Sequence, residues 1–351
     1  MMEAIVFDGI ERGLSLRKVP MPEIRSDHDV IVKVAYCGVC GTDLHAIQGE
    51  FPVRDKDLIL GHEVSGIVHA VGEKVRAVKV GDPVGVNPNK GCGGLCRGCS
   101  RGNPHLCPTE GINGTLGLWK DGGWAQFVAV PSSQVYLLPH PLPLNIGFLA
   151  ETLSCIYHGK EMLGMIDPDA RILILGGGIV GLLWAALFKH QGHMDITLSE
   201  ASPHRRSNAQ KSGFVSKVLD PAQLDEEEDG FDVIVDCCGV AKAVEKGIEV
   251  ANKGATIIIF AAAPKTEVVQ VPSFVMFWKE LRMFGTLTNP FTYGKAVGLL
   301  HSMWLNPNLG LSAEKLGIKE YGLKDYCKCL GDLKGGVITK GVFAVSSKQE
   351  E

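Results

Sequence analysis

The stretch Arg171-Ile-Leu-Ile-Leu-Gly176-Gly-Gly178-Ile-Val-Gly181 decides the fold of this chain. Its first half is a short apolar run of the kind that forms a fully buried strand, and residues 181–190 then have the pattern of a helix. The glycines between them satisfy G-x-G-x-x-G. The stretch therefore predicts a strand, a tight glycine turn and a helix that starts directly after the turn.

Each glycine of this turn has a physical role. Gly176 permits the tight turn, Gly178 lets the backbone approach a pyrophosphate, and Gly181 allows close packing of the helix. The N-terminus of the helix, with Ile179 and Val180, then faces the phosphates. A glycine turn alone occurs in many α/β proteins, but its position between a strand and a helix favours a dinucleotide site.

An acidic residue follows the second predicted strand, at the distance that a dinucleotide site requires. Glu200 lies 24 residues after Gly176, where a carboxylate can hydrogen-bond the adenosine ribose hydroxyls and repel a 2′-phosphate. NAD is therefore favoured over NADP. Arg205 and Arg206 follow closely and could instead hold a phosphate, which keeps NADP as an alternative, or they could be a solvated helix start.

The pattern of strands and helices divides the chain into two kinds of region. Up to about residue 145, short apolar runs separated by Gly, Pro and Asp predict many short strands. From about residue 147, strand-like runs alternate with helix-like segments, which predicts βαβ units and a parallel sheet. These strand-like runs are residues 171–176, 195–199, 231–236, 255–260 and 282–287. The C-terminal run of residues 341–345 is consistent with a strand that returns to the first region.

Length and charge restrict the classes of function. A chain of 351 residues is long enough for two domains with separate cores. The 35 Lys and Arg residues against 39 Asp and Glu residues give a net charge of −4, which offers no electrostatic reason to expect nucleic acid or an anionic membrane as partner. The N-terminus lacks a secretory pattern, and glycines interrupt the longest apolar run. We expect a cytoplasmic protein with a small-molecule substrate and no membrane span.

A thiol, an imidazole and a carboxylate recur close together in the first region. The segment CGVCGTDLH at residues 37–45 contains Cys40, and GHE at residues 61–63 brings His62 and Glu63. All three are competent zinc ligands, and three protein ligands with one open position are typical of a catalytic site. In isolation a lone His is usually a satisfied core or surface group, and Cys37-x-x-Cys40 could be a redox pair.

The order of these motifs resembles that of the medium-chain dehydrogenases, the zinc-containing alcohol dehydrogenase superfamily. The motifs are Cys-Gly-x-Cys-Gly-Thr-Asp-x-His, Gly-His-Glu, Val-Gly, Gly-Asp-x-Val and the glycine turn, and they span essentially the whole chain. The resemblance implies an α/β protein with a mostly β, GroES-like catalytic domain over residues 1–146 and 290–351. It also implies a doubly wound Rossmann domain with a parallel sheet over residues 147–289, which binds NAD.

By this resemblance, Cys40 and His62 bind a catalytic zinc ion, and Glu63 is a ligand in some resting states and otherwise a close neighbour. Zinc acts as a Lewis acid on the substrate oxygen and lowers the pKa of the alcohol. The resemblance places Thr42 to accept a hydrogen bond from the substrate hydroxyl and to pass the proton on. His45 and Asp43 are later relay members, although Asp43 could equally be a structural cap.

Glu151 is a further candidate ligand of the catalytic zinc ion that the resemblance implies, and either Glu63 or Glu151 could be the direct ligand. It matches the point where sorbitol dehydrogenases have Glu-Pro-Leu-Ser, while simple alcohol and cinnamyl alcohol dehydrogenases place a Cys ligand. A glutamate at this position therefore favours a polyol as the substrate. Thr152 replaces the usual Pro, and Cys155 lies four residues after Glu151, so a helix turn could offer it as a competing ligand.

Four further cysteines lie close together among several glycines: Cys92, Cys96, Cys99 and Cys107. Four thiolates with tight turns between them suit a tetrahedral structural zinc ion, and the segment resembles the structural-zinc lobe of the same family. The usual spacing is C-x2-C-x2-C-x7-C, whereas the first gap here is x3, which a Gly-Gly-Leu bridge could absorb. The alternative is a lobe of free thiols, as in animal sorbitol dehydrogenases that lose this metal. Redox chemistry and a disulfide are less expected.

The sequence thus predicts a zinc- and NAD-dependent enzyme that oxidises a secondary alcohol, such as a polyol, to a ketone. Threonine dehydrogenase is the alternative enzyme, since its pattern also contains Cys-Gly-Thr-Asp-x-His. A non-catalytic NAD-binding structural protein is a third hypothesis, against which the complete ligand set argues. The particular alcohol is open, because Ala46 stands where an aromatic residue commonly follows the His, and Leu287-Thr288-Asn289 stands where an Arg-Tyr pair commonly lines the pocket.

Oligomeric state does not follow from motif spacing. The family resemblance implies a homo-oligomer, either a tetramer or a dimer. Such assemblies often form through the edge of the Rossmann sheet, which the sequence places near residues 255–260.

Overall fold

The computed structural model describes residues 1–346 and arranges them in three β-sheets with helices between and around them. The strands are β1 (Met2–Phe7), β2 (Leu14–Val19), β3 (Asp29–Gly38), β4 (Leu58–Ile59), β5 (Glu63–Val71), β6 (Pro83–Val86), β7 (Phe127–Pro131), β8 (Val135–Leu137), β9 (Ile172–Leu175), β10 (Ile196–Ser199), β11 (Lys217–Leu219), β12 (Phe231–Asp236), β13 (Ala251–Ile259), β14 (Arg282–Gly285), β15 (Ile318–Tyr321) and β16 (Lys340–Ala344). The α-helices are α1 (Gly41–Ile47), α2 (Arg97–Ser100), α3 (Leu144–Gly147), α4 (Ala150–Leu163), α5 (Ile179–His190), α6 (Pro203–Ser212), α7 (Ala241–Val250), α8 (Ser273–Trp278), α9 (Tyr293–Leu305) and α10 (Tyr326–Lys334).

Six parallel strands form the sheet of the second half of the chain, in the order β11-β10-β9-β12-β13-β14. The chain starts at β9, adds β10 and β11 on one side, and then crosses back to add the other three strands on the opposite side. This reversal creates a topological switch point beside β9, which is where open α/β sheets bind ligands. The glycine turn follows β9 directly, so the fold places the predicted dinucleotide site at the switch point.

Burial explains why residues 171–188 form this unit. All four residues of β9 are buried, and so is nearly every residue of α5 from Ile179 to Phe188. Trp184 is fully buried, and its ring centroid lies 5.2 Å from that of Phe188. The longest apolar run of the sequence is therefore a strand and a helix of one core. Within residues 1–346 no helix is long and apolar enough to cross a membrane.

The first part of the chain, together with the C-terminal strands β15 and β16, forms two further sheets, and its short apolar runs are the strands predicted there. The larger has the order β15-β16-β3-β5-β6-β8, with β7 paired to β3, and the smaller has the order β2-β1-β4. Strand β16 pairs antiparallel with β3, with Val342 opposite Gly38. The C-terminal strand thus returns to the first sheet. The predicted α/β class, with a mostly β part and a doubly wound parallel sheet, is confirmed.

Helices α4 and α9 lie where the two parts of the molecule meet. Helix α4 contacts β5 and β6 of the larger antiparallel sheet and also α5, while α9 packs along α4 and α5. Buried residues of α9, among them Tyr293 and Leu300, share one hydrophobic cluster with β9 and α5. The core around the parallel sheet therefore extends past residue 289. The domain boundaries 1–146, 147–289 and 290–351 stay predictions.

The prediction for the edge of the parallel sheet is wrong. Residues 255–259 lie in β13, which is hydrogen-bonded to β12 on one side and to β14 on the other. They are therefore inside the sheet, and the edge is β14. The physical reason is that residues 282–285 add one more parallel strand beyond β13. The position of a strand within a sheet depends on long-range pairing, which a local sequence pattern does not reveal.

We predict that Gly181→Ala destabilises the protein. A Cβ at residue 181 would lie 2.0 Å from the carbonyl oxygen of Gly176, so the glycine turn would have to open. Overpacking of this kind costs about 1–3 kcal/mol, measured as the free energy of unfolding in urea. The control is Gly298→Ala on α9, where a Cβ meets nothing within 4 Å and alanine favours the helix. Equal losses in the two variants would contradict the prediction.

Candidate active site

Three of the predicted ligands meet at one end of the larger antiparallel sheet. Cys40 immediately precedes α1, His62 immediately precedes β5, and Glu63 is the first residue of β5, which pairs with β3. One donor atom of each residue lies within 4.8 Å of the other two. His62 and Glu63 are buried and Cys40 is half-buried. A thiol, an imidazole and a carboxylate are therefore close enough to bind one ion.

Asp43 holds two of these ligands in place. It is fully buried on α1, its Oδ2 accepts a hydrogen bond from the Cys40 N–H at 2.8 Å, and its Oδ1 lies 3.4 Å from His62 Nδ1. Burial by itself lowers the pKa of His62, but the charges of Asp43 and Cys40 outweigh it and raise that pKa well above its usual value. With Nδ1 beside a carboxylate, Nε2 is the nitrogen left for a metal. Of the two roles considered for Asp43, this geometry favours the structural one.

A buried ion pair holds Glu63. Lys340 Nζ lies 2.5 Å from Glu63 Oε1, and the two side chains are 2% and 1% exposed. The hydroxyl of Thr152 donates to the same oxygen at 3.1 Å. Burial lowers the pKa of Lys340, but the charges of Glu63, Cys40 and Asp43 reverse this and raise it. Sequence reasoning missed Lys340, for which the available signal is a charged residue at the start of an apolar C-terminal run.

Glu151 and Cys155 lie on one face of α4, beside this cluster but outside its three-residue set. Glu151 is buried, Cys155 is half-buried, and Cys155 Sγ lies 3.7 Å from Glu151 Oε1. Burial is the main influence on Glu151 and, with Glu63 nearby, raises its pKa to about 7 against the opposing charges of His62 and Lys340. Its role as a zinc ligand, and that of Cys155 as a competing ligand, remain predictions.

The chemistry of this donor set fits zinc. A thiol, an imidazole and a carboxylate are the side chains that zinc prefers, and three of them leave a position open for substrate. Glu63 Oε2 is buried and has no hydrogen-bond partner among residues 1–346. A buried carboxylate oxygen without a partner is costly, and a bound cation would remove that cost. Cys40, His62 and Glu63 would hold the ion, with Glu151 beside them.

Thr42 and His45 lie one turn apart on α1, as the predicted relay requires. Thr42 is half-buried, and its Oγ1 lies 3.6 Å from Cys40 Sγ. The His45 side chain is 29% exposed, and its Nδ1 lies 2.6 Å from Glu50 Oε2. These side chains therefore lead from the ligand cluster toward solvent. Glu50 is an additional member of the series that the sequence motifs did not identify.

The four predicted structural ligands meet in a separate lobe. One sulfur atom from each lies within 4.8 Å of the other three: Cys92, Cys96, Cys99 and Cys107. Gly93 and Gly94 fill the longer first gap with φ values of 75° and 97°, a left-handed backbone that favours glycine. Backbone N–H groups donate to the sulfurs of Cys96 and Cys107, each at 3.4 Å, and such contacts stabilise thiolates. The lobe fits a tetrahedral zinc ion.

The glycine turn has the geometry that its sequence predicts. Gly176 has a φ of 109°, in the left-handed region, and a Cβ at Gly178 would meet nothing within 4 Å. The backbone at the start of α5 is therefore open to a ligand. Ile179 and Val180 form the first turn of α5, and Gly181 packs directly against the Gly176 carbonyl. The cofactor contacts of these residues stay predictions.

Glu200 lies against this turn at the end of β10. Its Oε2 accepts a hydrogen bond from the Gly177 N–H at 2.7 Å, and its Oε1 accepts one from the backbone two residues further on. Each oxygen keeps acceptor capacity for a ribose hydroxyl. Arg206 donates to the Glu200 carbonyl and pairs with Asp220 at 2.8 Å, so it is not simply solvated. Arg205 Nε is buried without a partner among the described residues.

Asn289, in the segment that departs from the family pattern, joins separate parts of the site. It is 2% exposed, and its Nδ2 donates to Ser154 Oγ at 2.7 Å and to Asn87 Oδ1 at 3.1 Å. Its Oδ1 accepts from Asn89 Nδ2 at 2.8 Å. Ser154 in turn donates to the Glu151 carbonyl at 2.6 Å. A buried amide thus connects α4 to the segment that leads into the four-cysteine lobe.

Comparison with known proteins identifies relatives over most of the chain. The alcohol dehydrogenase GroES-like domain matches residues 26–140, and the zinc-binding dehydrogenase model matches residues 180–302. The (R,R)-butanediol dehydrogenase of Saccharomyces cerevisiae is 33% identical, over 70% of this chain and 73% of its own length. D-altritol 5-dehydrogenase of Agrobacterium fabrum is 31% identical, over 81% of this chain and 84% of its own. A protein assigned as a zinc-binding dehydrogenase in Sinorhizobium meliloti 1021, solved with NADP, has a TM-score of 0.88 at 30% identity, covering 98% of this chain and 99% of that one.

Lys340→Met is expected to destabilise the protein strongly. In the zinc-free protein it leaves the Glu63 carboxylate buried without any cation, which costs about 3–5 kcal/mol, measured as the free energy of unfolding in urea. A double variant, Lys340→Met with Glu63→Gln, removes both charges and should recover much of the loss.

The matched control is the surface pair of Lys295 and Glu161, whose side chains are 52% and 39% exposed. Lys295→Met should cost less than about 1 kcal/mol, since water already screens that pair. Equal free energies of unfolding for Lys340→Met and Lys295→Met would contradict a stabilising role of the buried pair.

Proposed function

This chain belongs to the zinc-binding dehydrogenases with an alcohol dehydrogenase GroES-like domain, and from that premise we propose that it oxidises a polyol at a secondary alcohol carbon with NAD. Membership follows from the two family models and from relatives that match more than two thirds of the chain. The resemblance inferred from the motifs is confirmed. So are the class of enzyme, an alcohol dehydrogenase, and its use of zinc and a nicotinamide coenzyme.

The position of Glu151 carries the proposal for polyols. A buried glutamate stands beside the Cys40, His62 and Glu63 cluster, at the point where the resemblance associates glutamate with sorbitol dehydrogenases and cysteine with simple alcohol dehydrogenases. The relatives support the same substrate class, because their names specify butanediol and D-altritol. They do not favour threonine dehydrogenase or a non-catalytic NAD-binding protein, the two alternatives considered from the sequence.

The reaction assigns distinct tasks to the side chains of the site. When bound, zinc would supply a Lewis acid that lowers the pKa of the substrate hydroxyl, and NAD would supply the acceptor for the hydride of its carbon. The hydroxyl of Thr42 takes the hydrogen bond of the substrate hydroxyl and carries its proton toward His45. Glu50 holds His45 through Nδ1, which leaves Nε2 to exchange the proton with water. Cys92, Cys96, Cys99 and Cys107 would hold a second, structural zinc ion.

NAD is the proposed coenzyme. The Glu200 carboxylate lies where the adenosine ribose would bind, and its charge repels a 2′-phosphate. Arg206 is already engaged by the Glu200 carbonyl and by Asp220, which supports the same preference. Arg205 is the remaining cation of this segment. It keeps NADP as the alternative, and the relative solved with NADP is a reason to measure both coenzymes.

We also propose that the protein is a homo-oligomer, a dimer or tetramer, that assembles through β14. This strand forms the edge of the parallel sheet, and α8 just before it exposes an aromatic patch. The patch consists of Phe274, Phe277 and Trp278, which are 69%, 79% and 60% exposed. An open strand edge beside exposed aromatic rings is a surface that a protein usually covers. A second copy, related by a two-fold axis, would cover both features.

The enzymatic proposal predicts that the purified protein contains about two zinc ions per chain, one for each ligand cluster. It should oxidise polyols with NAD, and its kcat/KM with NAD should exceed that with NADP. The measurement is metal analysis without chelators, followed by a panel of polyols, threonine and simple alcohols with each coenzyme. Turnover of threonine alone, or of no compound in the panel, would refute the polyol assignment.

Cys40→Ser should remove about one zinc ion per chain and lower kcat/KM by about a hundredfold or more, because even the partners of metal ligands are worth 10–100-fold. The matched control is Cys327→Ser, which changes an exposed thiol on α10 and should keep both zinc ions and the activity. Retention of full activity by Cys40→Ser would contradict the assignment of Cys40 as a ligand.

The oligomer proposal predicts that Phe277→Glu reduces assembly, because the introduced carboxylate would be buried in the interface. Light scattering should give an integral multiple of the chain mass for the wild type and a shift toward the monomer for the variant. Met165→Glu is the control, since Met165 is fully exposed outside this patch. A monomeric wild type, or an unchanged mass for Phe277→Glu, would exclude this interface.

A further inference from the structure

The two oxygens of the Glu63 carboxylate have unlike surroundings. Oε1 accepts hydrogen bonds from Lys340 Nζ at 2.5 Å and from Thr152 Oγ1 at 3.1 Å. Oε2 is buried and has no hydrogen-bond partner in the part of the chain that is described. It lies beside Gly38, where an added Cβ would come within 1.9 Å of it. One oxygen is therefore anchored twice, while the other has its bonding capacity unused.

Lys340 alone does not define the rotation of this carboxylate. An ammonium group is a compact charge with three equivalent donors on a flexible stem, so it can pair with a carboxylate in several orientations. Thr152 supplies a second donor from a separate element, since it lies on α4 whereas Lys340 lies on β16. Two donors that approach Oε1 from different elements restrict the rotation and determine which oxygen stays free.

Thr152 is also the residue at which this chain departs from the Glu-Pro-Leu-Ser segment of the sorbitol dehydrogenases. Proline has no hydroxyl and cannot make this hydrogen bond. The Thr152 side chain is buried, with 6% of the residue exposed, so water does not serve as its main partner. A buried hydroxyl whose bond is directed at a neighbouring carboxylate has a larger effect on that carboxylate than a solvated one.

We propose that Thr152 is a positioning residue for the catalytic metal: together with Lys340 it anchors Oε1 of Glu63, so that Oε2 is the oxygen available to zinc. The proposal rests on the function proposed above, in which Glu63 is one of the residues that would hold the ion. Thr152 acts through Glu63 and contacts neither metal nor substrate. Glu151 immediately precedes Thr152, so the first turn of α4 contributes the Glu151 carboxylate to the site and also orients the carboxylate of Glu63.

The test compares Thr152→Val with the wild type, both purified as zinc enzymes. Valine keeps the branched shape and removes the hydroxyl. The readouts are the rate at which a chelator removes the catalytic zinc and the visible absorption spectrum after cobalt replaces zinc at that site. We expect zinc loss to be about tenfold faster, as for other partners of metal ligands. The cobalt bands should also shift, because Glu63 then meets the metal differently.

Three further variants separate the hydroxyl from general packing. Thr152→Ser keeps the hydroxyl and should return both readouts toward the wild type. Thr152→Pro places the family residue in the first turn of a helix, where proline is tolerated, and should resemble the valine variant. Thr197→Val is the matched control, because Thr197 is 1% exposed on β10 and its hydroxyl has no hydrogen-bond partner among residues 1–346.

Thermal unfolding shows whether each variant is folded. If Thr152→Val fails to fold, Thr152→Ala replaces it as the variant without a hydroxyl. Wild-type zinc loss and an unchanged cobalt spectrum in Thr152→Val would overturn the proposal. So would a serine variant as defective as the valine variant. Neither readout uses a substrate, so the two proposals can fail separately: a wild type that oxidises no polyol would refute the substrate, while hydroxyl-dependent zinc retention would still support this role of Thr152.

Discussion

The ion pair between Glu63 and Lys340 joins residues 277 positions apart, and the assembly of the site depends on it. Two charges with almost no exposure are stable only when each has an opposite charge beside it. Lys340 reaches Glu63 because β16 pairs with β3, and in chain order all six strands of the parallel sheet lie between these two strands. The active site therefore contains residues from both ends of the chain, with the dinucleotide-binding part enclosed between them.

Helix α4 connects this ion pair to the rest of the site. Successive residues at its start have different partners, since Glu151 lies beside the ligand cluster, Thr152 binds Glu63, and Ser154 binds Asn289. The same helix packs on α5, which begins at the glycine turn. A helix is stiff over a few turns, so one rigid element contacts both Glu63 and the helix that starts at the coenzyme turn. A shift of α4 would therefore disturb the hydrogen bond to Glu63 and the packing on α5 together.

The sequence predicts the parts of this structure whose residues are near one another in the chain. The glycine turn, the four-cysteine lobe and the Gly-His-Glu segment are of this kind, because short spacing and local backbone chemistry determine them. The contacts of Lys340 with Glu63 and of Asn289 with Ser154 could not be predicted, since these partners lie 277 and 135 positions away. The wrong edge at residues 255–260 has the same origin, because one later strand pairing moved it. The predicted boundary at residue 289 has the same difficulty, because α9 follows it in the chain but packs on the core formed by β9 and α5.

The side chain of Asn289 has no free hydrogen-bond donor. Both hydrogens of its amide are used by Ser154 and Asn87, and its oxygen already accepts from Asn89. An asparagine side chain has two donors and two acceptor lone pairs, so a single acceptor position is left. In the family pattern an Arg-Tyr pair commonly stands in this segment. Asn289 therefore has no free donor to offer a substrate hydroxyl, which distinguishes this segment from that of the sorbitol dehydrogenases even though the glutamate is shared.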